Sequence, residues 1–432
     1  MKEIESIYEV FKANPLVSTD SRRLVPGSIF FALRGPNFNG NNFAEQAIAQ
    51  GCAYAIIDEK SIQRNNKMIL VDDVLTTLQA LSHYHRRQFK IPFLAITGSN
   101  GKTTTKELIN RTLSKKFRTH ATQGNLNNHI GVPLTILSIP DDAQFAIIEM
   151  GANHCGEIES YCKIAEPDFG LITNVGKAHL EGFGGIEGVK KGKGELYQWI
   201  AGNGKLIFLN GESTDLVKMS GQYANLKTVD YGNKSSFYCQ GHLIREQPAL
   251  SLSWKCDNNS GHIDTQIVGS YNFENILAAV CIGNYFQVDP DGINDAISGY
   301  VPDNSRSQVI KKGSNIIILD AYNANPTSME AALTNFEHIE SDNKILFLGE
   351  MAELGAESKS EHRRIASLLD NNSFRKIILV GKLFAELKSS SQVHFEDSVQ
   401  AAAWLKEHPV QNAYVLIKGS RSTRMEKILD AF

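Results

Sequence analysis

Short apolar runs alternate with longer segments of mixed polarity along most of the chain. The segments at 43–50 and 75–89 have the length and periodicity of helices, and Ile109, Leu113 and Phe117 recur every four residues, as one buried helix face requires. The runs that predict buried strands in the first half are residues 28–33, 53–57, 93–97, 145–150, 170–174 and 205–210. This alternation is typical of α/β proteins.

The alternation becomes most regular after residues 302–305, Pro-Asp-Asn-Ser. Strands are predicted there at 316–320, 344–348, 376–380 and 414–418, with helix-length segments between them. Such crossovers give a parallel, doubly wound sheet. Residues 237–268 instead alternate in polarity and carry turn residues, which predicts a small antiparallel excursion.

The length of 432 residues exceeds what one hydrophobic core organises, so about two to four domains are expected. We predict an α/β protein with a small N-terminal domain at 1–88, a central P-loop-type domain with a mostly parallel sheet at 89–302, and a Rossmann-like doubly wound domain at 303–432. The first boundary rests on Ile91-Pro92, where a new strand begins. No Gly-x-Gly-x-x-Gly follows the strand at 316–320, so dinucleotide binding there is not supported.

The composition indicates which partners and which cell compartment the protein can have. Lys and Arg total 44 and Asp and Glu 47, so no basic field exists to hold a nucleic acid. The 6 cysteines are far apart and form no Cys-x-x-Cys, which argues against a disulfide framework or zinc ribbon and favours a reducing cytosol. Residues 1–11 lack the apolar core of a signal peptide, and no window resembles a membrane span. We expect a cytoplasmic protein without a membrane span.

The strongest local signal is at residues 97–105, Thr-Gly-Ser-Asn-Gly-Lys-Thr-Thr-Thr, between a predicted strand and helix. Backbone N–H groups and the helix N-terminus there face an anion, Lys102 reaches the outer phosphates of ATP, and the Thr103 hydroxyl is placed to ligate Mg²⁺. The usual spacing is not met, because its first glycine falls on Ile96, and the alternative is a turn without function. The candidate ATP-binding residues of this loop are Gly98, Ser99, Asn100, Gly101, Lys102, Thr103 and Thr104.

Four further segments join this loop in a resemblance. They are residues 19–22 (Thr-Asp-Ser-Arg), 124–133 (Gly-Asn-Leu-Asn-Asn-His-Ile-Gly-Val-Pro), 149–153 (Glu-Met-Gly-Ala-Asn) and 320–326 (Asp-Ala-Tyr-Asn-Ala-Asn-Pro). Together they resemble the Mur ligases, ATP-dependent amide-bond-forming enzymes of bacterial peptidoglycan assembly. The resemblance implies a monomer that joins D-alanyl-D-alanine to UDP-N-acetylmuramoyl-tripeptide through an acyl phosphate, releasing ADP and phosphate.

Joining a carboxylate to the γ-phosphate brings two anions together, so divalent cations are required. Glu149 ends an apolar strand on the edge that carries the phosphate loop, where it is placed to hold Mg²⁺, although a solvated glutamate is the alternative. In isolation His179 reads as an ordinary histidine and Lys193 as one of several solvated lysines. The resemblance implies that His179 is a metal ligand and that Lys193, carbamylated by CO₂, holds a second Mg²⁺. With Lys102, these three residues form the predicted catalytic set.

Several binding residues follow from the same resemblance. Asn275 offers an amide that matches an adenine edge, with a helix cap as the alternative, and Asn128 is a nucleotide-side candidate or an ordinary turn residue. Arg306 and Asp320 are expected to reach ATP phosphate and ribose when the third domain closes. A surface salt bridge between those two is the alternative.

The substrate contacts are expected at both ends of the chain. Thr19, Ser21 and Arg22 resemble the part that grips the UDP end. Asn39 and Asn41 stand where the family commonly has Asp and His, a departure in the same region. The candidates toward the incoming dipeptide are Asn323, Asn325 and the basic strand end at 418–421.

Three alternatives stay open beside this hypothesis. Within ligases they are a Mur-type enzyme that adds a single amino acid and a folylpolyglutamate synthase-like enzyme, against which the segments at 149–153 and 320–326 argue. From another class, a nucleotide-regulated scaffold needs the phosphate loop but not Glu149, His179 and Lys193 together. No motif decides whether the tripeptide ends in meso-diaminopimelate or L-lysine.

Overall fold

The computed structural model describes residues 2–370 and 374–432. Met1 and residues 371–373, which belong to the predicted domains at 1–88 and 303–432, lie outside the described residues. Three main sheets follow one another along the chain and most of their strand pairs are parallel. The predicted α/β class is therefore confirmed.

The first sheet has four short parallel strands. Its unit contains helix α1 (Lys2–Ala13), strands β1 (Val17–Ser18), β2 (Ile29–Phe31), β3 (Arg34–Gly35) and β4 (Phe38–Asn39), helix α2 (Ala44–Ala49), strands β5 (Tyr54–Ile57) and β6 (Met68–Leu70), and helix α3 (Val74–Arg86). The sheet order is β1-β2-β5-β6, and β3 and β4 form a separate hairpin. The carboxylate of Asp73 accepts from the amide of Thr76 at 2.6 Å and starts α3, whose apolar face packs on α1 and the sheet.

The second sheet has nine strands. Its unit contains β7 (Phe93–Thr97), α4 (Lys102–Leu113), β8 (Thr119–Ala121), α5 (Gly131–Leu137), β9 (Phe145–Glu149), α6 (Glu157–Ala165), β10 (Phe169–Ile172), α7 (Leu180–Phe183), α8 (Ile186–Asn203), β11 (Leu206–Asn210), α9 (Thr214–Ser220), β12 (Thr228–Gly232), β13 (Cys239–Arg245), β14 (Ser251–Cys256), β15 (Asn259–Asp264), α10 (Phe273–Tyr285) and α11 (Pro290–Ser298). The order is β15-β14-β13-β12-β11-β10-β7-β9-β8. β7 lies between β9 and β10, so the carboxyl ends of these three parallel strands meet at one edge.

One helix is shorter than its periodicity predicted. α4 ends at Leu113, so the continuation to Phe117 was wrong. The amide of Phe117 still bonds to the Leu113 carbonyl at 2.8 Å, and its ring lies 6.0 Å from that of Phe145. Phe117 reaches the core from a turn, which the apolar spacing alone does not distinguish from a helix.

The antiparallel excursion is confirmed as the hairpin strands β13, β14 and β15, which extend the central sheet because β13 pairs in parallel with β12. The strand register places Cys239 opposite Cys256, and these two form a disulfide. The cysteine spacing did not predict this bond, because residues separated by 17 positions are brought together only by the hairpin. No larger disulfide framework occurs among residues 2–370 and 374–432.

The third sheet has six strands. Its unit contains β16 (Gln308–Lys312), β17 (Asn315–Asp320), α12 (Pro326–Glu337), β18 (Lys344–Gly349), α13 (Ser358–Leu369), β19 (Lys376–Val380), α14 (Lys382–Ala385), β20 (Val393–Phe395), α15 (Ser398–Glu407) and β21 (Tyr414–Lys418). The order is β16-β17-β21-β18-β19-β20, and among the described residues of this unit only β16 runs antiparallel. Short 3₁₀ turns lie at Gly40–Phe43, Lys60–Ile62, Ser270–Asn272, Gly355–Glu357, Arg421–Thr423 and Met425–Ala431. In the described part of the chain, no helix has the length and apolar character needed to span a membrane.

Candidate active site

A cavity of about 800 Å³ lies between the central sheet and the C-terminal sheet. Residues at or beyond the carboxyl ends of β7, β9, β10, β17 and β21 line it. The predicted site residues in its lining are Ser99, Asn100, Gly101, Lys102, Thr103, Thr104, Asn128, Glu149, His179, Asn275, Arg306, Asp320, Asn323 and Asn325. Lys418, from the predicted basic strand end at 418–421, also lines the cavity, so the fold gathers residues from 99 to 418 into one polar cavity. The predicted residues outside the lining are Gly98, Lys193, Thr19, Ser21 and Arg22.

The phosphate loop closes against α10. Gly101 has φ +78 at the N-terminus of α4, and a Cβ there would lie 2.6 Å from Oδ1 of Asn275. The loop thus needs glycine for its left-handed backbone and for the close approach of the asparagine amide. Nζ of Lys102 donates to the Gly98 carbonyl at 2.6 Å, so the ammonium folds back on its own loop.

The charge of Lys102 is only partly compensated. Burial lowers the pKa of Lys102 below its usual value, Glu149 acts to raise it, and the positive charge of Arg306 acts to lower it. Two cations therefore face the same cavity. An anion placed there would relieve their mutual repulsion.

Glu149 has one oxygen satisfied and one not. Its Oε1 accepts from Oγ1 of Thr103 at 3.1 Å and from Nδ2 of Asn127 at 2.7 Å. Its Oε2 is buried, and within residues 2–370 and 374–432 it has no hydrogen-bond partner. A buried carboxylate oxygen beside a hydroxyl at a helix N-terminus fits a hard cation such as Mg²⁺. Sequence reasoning missed Asn127, although it lies in the quoted segment at 124–133.

The described residues do not bring three or more His, Cys, Asp or Glu side chains together as a ready metal cluster. A site with one carboxylate and one hydroxyl agrees with Mg²⁺, which is commonly held by one or two carboxylates together with substrate phosphates and water. Glu149 and Thr103 supply such a partial set, and phosphate oxygens would complete it.

His179 faces the cavity from the turn before α7, with φ +53. Its Nδ1 lies 2.6 Å from Oε2 of Glu353, a residue in the loop after β18. The angles of this contact are not those of a good hydrogen bond. This contact holds the pKa of Glu353 below its usual value against the effect of burial, and the charge of Lys102 adds to the lowering. Glu353 was not predicted, because its partner belongs to another domain.

Lys193 is buried in α8 and has one weak polar contact, from Nζ to the Ala152 carbonyl at 3.3 Å. Nζ also lies 5.3 Å from the centre of the Phe183 ring. Burial, reinforced by the positive charge of Lys102, holds the pKa of Lys193 well below its usual value. A lysine in this environment favours the neutral amine.

The two nucleotide-side asparagines are already engaged. Oδ1 of Asn128 accepts from the amides of Ile130 and Gly131 in the turn before α5, as the turn alternative requires. Asn275 lies inside α10 and not at its cap: its Oδ1 accepts from Thr105 at 3.0 Å and its Nδ2 donates to Asn272 at 2.9 Å. The adenine contact stays a prediction for Asn275.

Arg306 and Asp320 both line the cavity but have separate partners. The guanidinium of Arg306 lies 3.7 Å from the centre of the Tyr322 ring, and Asp320 pairs with Nζ of Lys418 at 2.5 Å. The predicted alternative, a salt bridge between the two, is not what the structure shows. Arg306 keeps its charge available to the cavity.

Asn325 connects the two large sheets. Its Oδ1 accepts from the amide of Ser328 at 2.9 Å and starts α12, and its Nδ2 donates to Oδ1 of Asn100 in the phosphate loop at 2.7 Å. Asn323 stays local, since its Oδ1 accepts from the amide of Ala324 at 2.9 Å. The structure thus adds a cross-domain contact to the predicted role of Asn325.

The N-terminal candidates lie away from this cavity. Arg22 is exposed and pairs with Asp20, and hydrogen bonds from Arg22 lower the pKa of Asp20 to about 2. Asn41 is buried and donates to Asp58 at 2.7 Å, while Asn39 donates to Glu59 at 2.8 Å. The residues that depart from the family pattern therefore form their own polar network.

Comparison with known proteins decides the family. Sequence models match for the Mur ligase catalytic domain at residues 16–86, the middle domain at 96–283 and the glutamate ligase domain at 305–421. UDP-N-acetylmuramoyl-tripeptide--D-alanyl-D-alanine ligase of Bacillus subtilis (strain 168) is 34% identical over 429 residues, covering 96% of this chain and 92% of that protein. The chain belongs to the Mur ligase family.

Solved Mur ligase structures share the whole fold. A crystal structure of MurF from Acinetobacter baumannii superposes with a TM-score of 0.87 at 28% identity, covering 98% of this chain and 97% of that chain. MurF ligase from Thermotoga maritima in complex with ADP superposes with a TM-score of 0.85 at 26% identity, covering 97% of each chain. The three sheets of this Mur ligase are therefore arranged as in those proteins.

Proposed function

We propose that the chain is an ATP-dependent ligase that joins D-alanyl-D-alanine to UDP-N-acetylmuramoyl-tripeptide in peptidoglycan precursor synthesis. The Bacillus subtilis relative is named for this reaction. The observation that carries the proposal is one cavity between two domains that is lined by Lys102 and by Glu149, whose buried Oε2 has no hydrogen-bond partner among the described residues. The N–H groups of the phosphate loop and Lys102 hold the phosphates of ATP there.

Catalysis follows from positioning and charge. The terminal carboxylate of the tripeptide attacks the γ-phosphorus, the bond to the ADP oxygen breaks, and an acyl phosphate forms. The amine of D-alanyl-D-alanine then attacks the acyl carbon, and the tetrahedral intermediate loses phosphate and a proton to give the amide. Lys102 and Arg306 stabilise the negative charge on the transferring phosphoryl group.

Two Mg²⁺ ions belong to the proposal. Thr103 and Glu149 would hold the first together with phosphate oxygens, and His179 would serve as a metal ligand with Glu353 as the carboxylate partner of its ring. When bound, the ions neutralise the charge between carboxylate and phosphate.

Carbamylation of Lys193 is proposed for the second ion. The neutral amine of Lys193 attacks the carbon of CO₂, a nitrogen–carbon bond forms and a proton leaves, which turns a cation site into an anion. Its environment supports this step, because burial favours the neutral amine. The test is a mass increase of one CO₂ on the peptide that carries Lys193, with rescue of Lys193→Ala activity by short carboxylic acids. Full activity of Lys193→Ala without such rescue would contradict the role.

In this proposal each of the three segments binds a different substrate. Residues 1–88, through Thr19, Ser21 and Arg22, bind the UDP end, and residues 89–302 bind ATP. Residues 303–432 bring the dipeptide into line and close over ATP. We propose that the enzyme acts as a monomer in the cytoplasm, where ATP is available.

The proposal is tested by ADP release in a coupled assay. The donors are the UDP-tripeptides ending in meso-diaminopimelate and in L-lysine, and the acceptors are D-alanyl-D-alanine and a panel of single amino acids. ADP release is expected only when a UDP-tripeptide and the dipeptide are both present, and Lys102→Ala sets the background. Release with a single amino acid or with a folate substrate would favour the alternative ligases, and release without any amine would exclude amide formation.

A further inference from the structure

The segment at 174–179, called here the bridging loop, connects β10 to α7 and lies between the phosphate loop and the C-terminal sheet. On the phosphate-loop side, the amide of Ser99 donates to the Asn174 carbonyl at 3.0 Å, and the amide of Asn100 donates to Oδ1 of Asn174 at 2.9 Å. Oγ of Ser99 accepts from the amide of Gly176 at 2.9 Å. The bridging loop is therefore anchored to the phosphate loop by hydrogen bonds at Asn174 and Gly176, which do not involve Lys177.

On its other side, the bridging loop is held by α12 and α13. The amide of Lys177 donates to Oγ1 of Thr327 at 3.1 Å, and Nζ of Lys177 lies 2.5 Å from Oε1 of Glu361. The fit is close, because a Cβ on Gly176 would lie 2.9 Å from Oγ1 of Thr327. His179, at the end of the same loop, contacts Glu353.

Glu361 is built to receive a cation from across the domain boundary. It is 5% exposed, and its Oε2 accepts from Nε of Arg364 at 2.8 Å within α13. Burial acts to raise the pKa of Glu361, but the hydrogen bonds from Lys177 and Arg364 lower it below its usual value. Arg364 satisfies one oxygen from the same helix, and Lys177 satisfies the other from the central domain.

We propose that Lys177 and Glu361 form an interdomain latch that holds the C-terminal domain docked against the bridging loop. Lys177 is a positioning residue in this proposal and touches no substrate. The inference rests on the proposed ligase function, because domain docking delivers the dipeptide amine to the acyl phosphate. A loss of the latch reduces the docked population and leaves the chemistry of the site intact.

The variant Lys177→Met is expected to fold. Arg364 still neutralises Glu361, so the substitution leaves no unpaired charge in the interior. The matched control is Lys163→Met, which removes the same cation from an ion pair with Glu159 inside α6, at 2.7 Å. Lys177→Arg keeps a cation at the latch and serves as the rescue variant.

Two measurements separate the latch from ligase activity. The first is kcat/KM for D-alanyl-D-alanine beside the affinity for a fluorescent ATP analogue. The second is the distance distribution between spin labels on Asn225→Cys and Ser390→Cys in a Cys155→Ser background, with and without ADP and Mg²⁺. Asn225, Ser390 and Cys155 are all exposed, and the remaining free cysteines are buried.

Lys177→Met is expected to lower kcat/KM for the dipeptide by about three- to tenfold, to change nucleotide affinity less than about twofold, and to broaden the distance distribution. Lys163→Met and Lys177→Arg should resemble the wild type. The latch is refuted if Lys177→Met matches Lys163→Met in both measurements. If the wild type shows no ligase activity, the proposed function fails, while the distance measurement still decides the latch.

Discussion

Replacing Gly101 by alanine is expected to damage the nucleotide site through one neighbouring side chain. Gly101 has φ +78, and the added Cβ would lie 2.6 Å from Oδ1 and 2.9 Å from Nδ2 of Asn275. Neither approach is compatible with normal contact distances, so the amide must rotate away. Its movement would break the hydrogen bonds from Thr105 and to Asn272.

The magnitude has two parts. A left-handed backbone conformation costs a residue with a Cβ about 1–2 kcal/mol. Two lost hydrogen bonds add about 1–3 kcal/mol, since each contributes roughly 0.5–1.5 kcal/mol. Gly101→Ala is therefore expected to reduce the free energy of unfolding by about 2–5 kcal/mol, and the part due to Asn275 corresponds to about 2–12 °C in melting temperature for a unit of this size.

Gly156 provides a matched control. It also stands at the N-terminus of a helix, α6, with φ +88, but nothing lies within 4 Å of its added Cβ. Gly156→Ala should show only the backbone cost. Thermal unfolding and titration with a fluorescent ATP analogue are measured for both variants, and Gly101→Ala should bind nucleotide at least about tenfold more weakly, the equivalent of 1.4 kcal/mol.

A double-mutant cycle isolates the packing contribution. In an Asn275→Ala background the added methyl group meets no amide, so Gly101→Ala should cost only as much as Gly156→Ala. Equal melting temperatures and equal nucleotide affinities for Gly101→Ala and Gly156→Ala in the wild-type background would refute the reasoning. The close approach of Asn275 to the loop would then have no energetic role.

Three further predictions concern other regions. In the enzyme without the carbamate, burial holds the pKa of Lys193 well below its usual value. At pH values between the pKa of Lys193 in the folded chain and its usual pKa, the unfolded chain therefore binds a proton that the folded chain lacks. The free energy of unfolding should therefore rise with pH across that window by up to about 1.4 kcal/mol per pH unit. Urea unfolding at several pH values should show a flatter rise for Lys193→Met than for the wild type. Equal slopes of unfolding free energy against pH for the two proteins would contradict this. The Cys239–Cys256 disulfide closes a loop of 17 residues, so its reduction should lower the free energy of unfolding by about 3 kcal/mol. The control is Cys239→Ser, which lacks the bond and should have the same melting temperature with and without reductant. The side chain of Arg22 is 85% exposed, so Arg22→Ala should change the melting temperature by less than about 2 °C. If Arg22 binds the UDP end, the same variant should raise KM for the UDP-tripeptide, and an unchanged KM would remove Arg22 from the UDP site.

Local chemistry explains which elements could be predicted from the sequence. The strands at Phe93–Thr97, Lys376–Val380 and Tyr414–Lys418 match the predicted bounds, because strands covered on both faces read as continuous apolar runs. Glu149 was placed correctly at a strand end beside the phosphate loop, since parallel neighbours end at the same edge. Such inferences need only the segment and its nearest neighbour.

Contacts between distant segments were not predictable in the same way. Glu353 and Glu361 lie in stretches of ordinary charged composition, and their partners His179 and Lys177 are more than 170 residues away along the chain. The Cys239–Cys256 bond likewise depends on a hairpin register. These pairings are set by how sheets and domains dock, and no periodicity in one segment encodes that arrangement.

The same contacts indicate what must change when substrates bind. Lys102 donates to the Gly98 carbonyl of its own loop, so phosphate binding requires the ammonium to exchange that carbonyl for a phosphate oxygen. Only Nδ1 of His179 contacts Glu353, so the other ring nitrogen is left to serve as a metal ligand while the carboxylate orients the ring. The Lys177–Glu361 pair faces neither phosphate nor metal and can persist through the exchange at Lys102. A docked C-terminal domain is thus compatible with an exchange of partners inside the cavity, provided that the bridging loop stays held at Lys177.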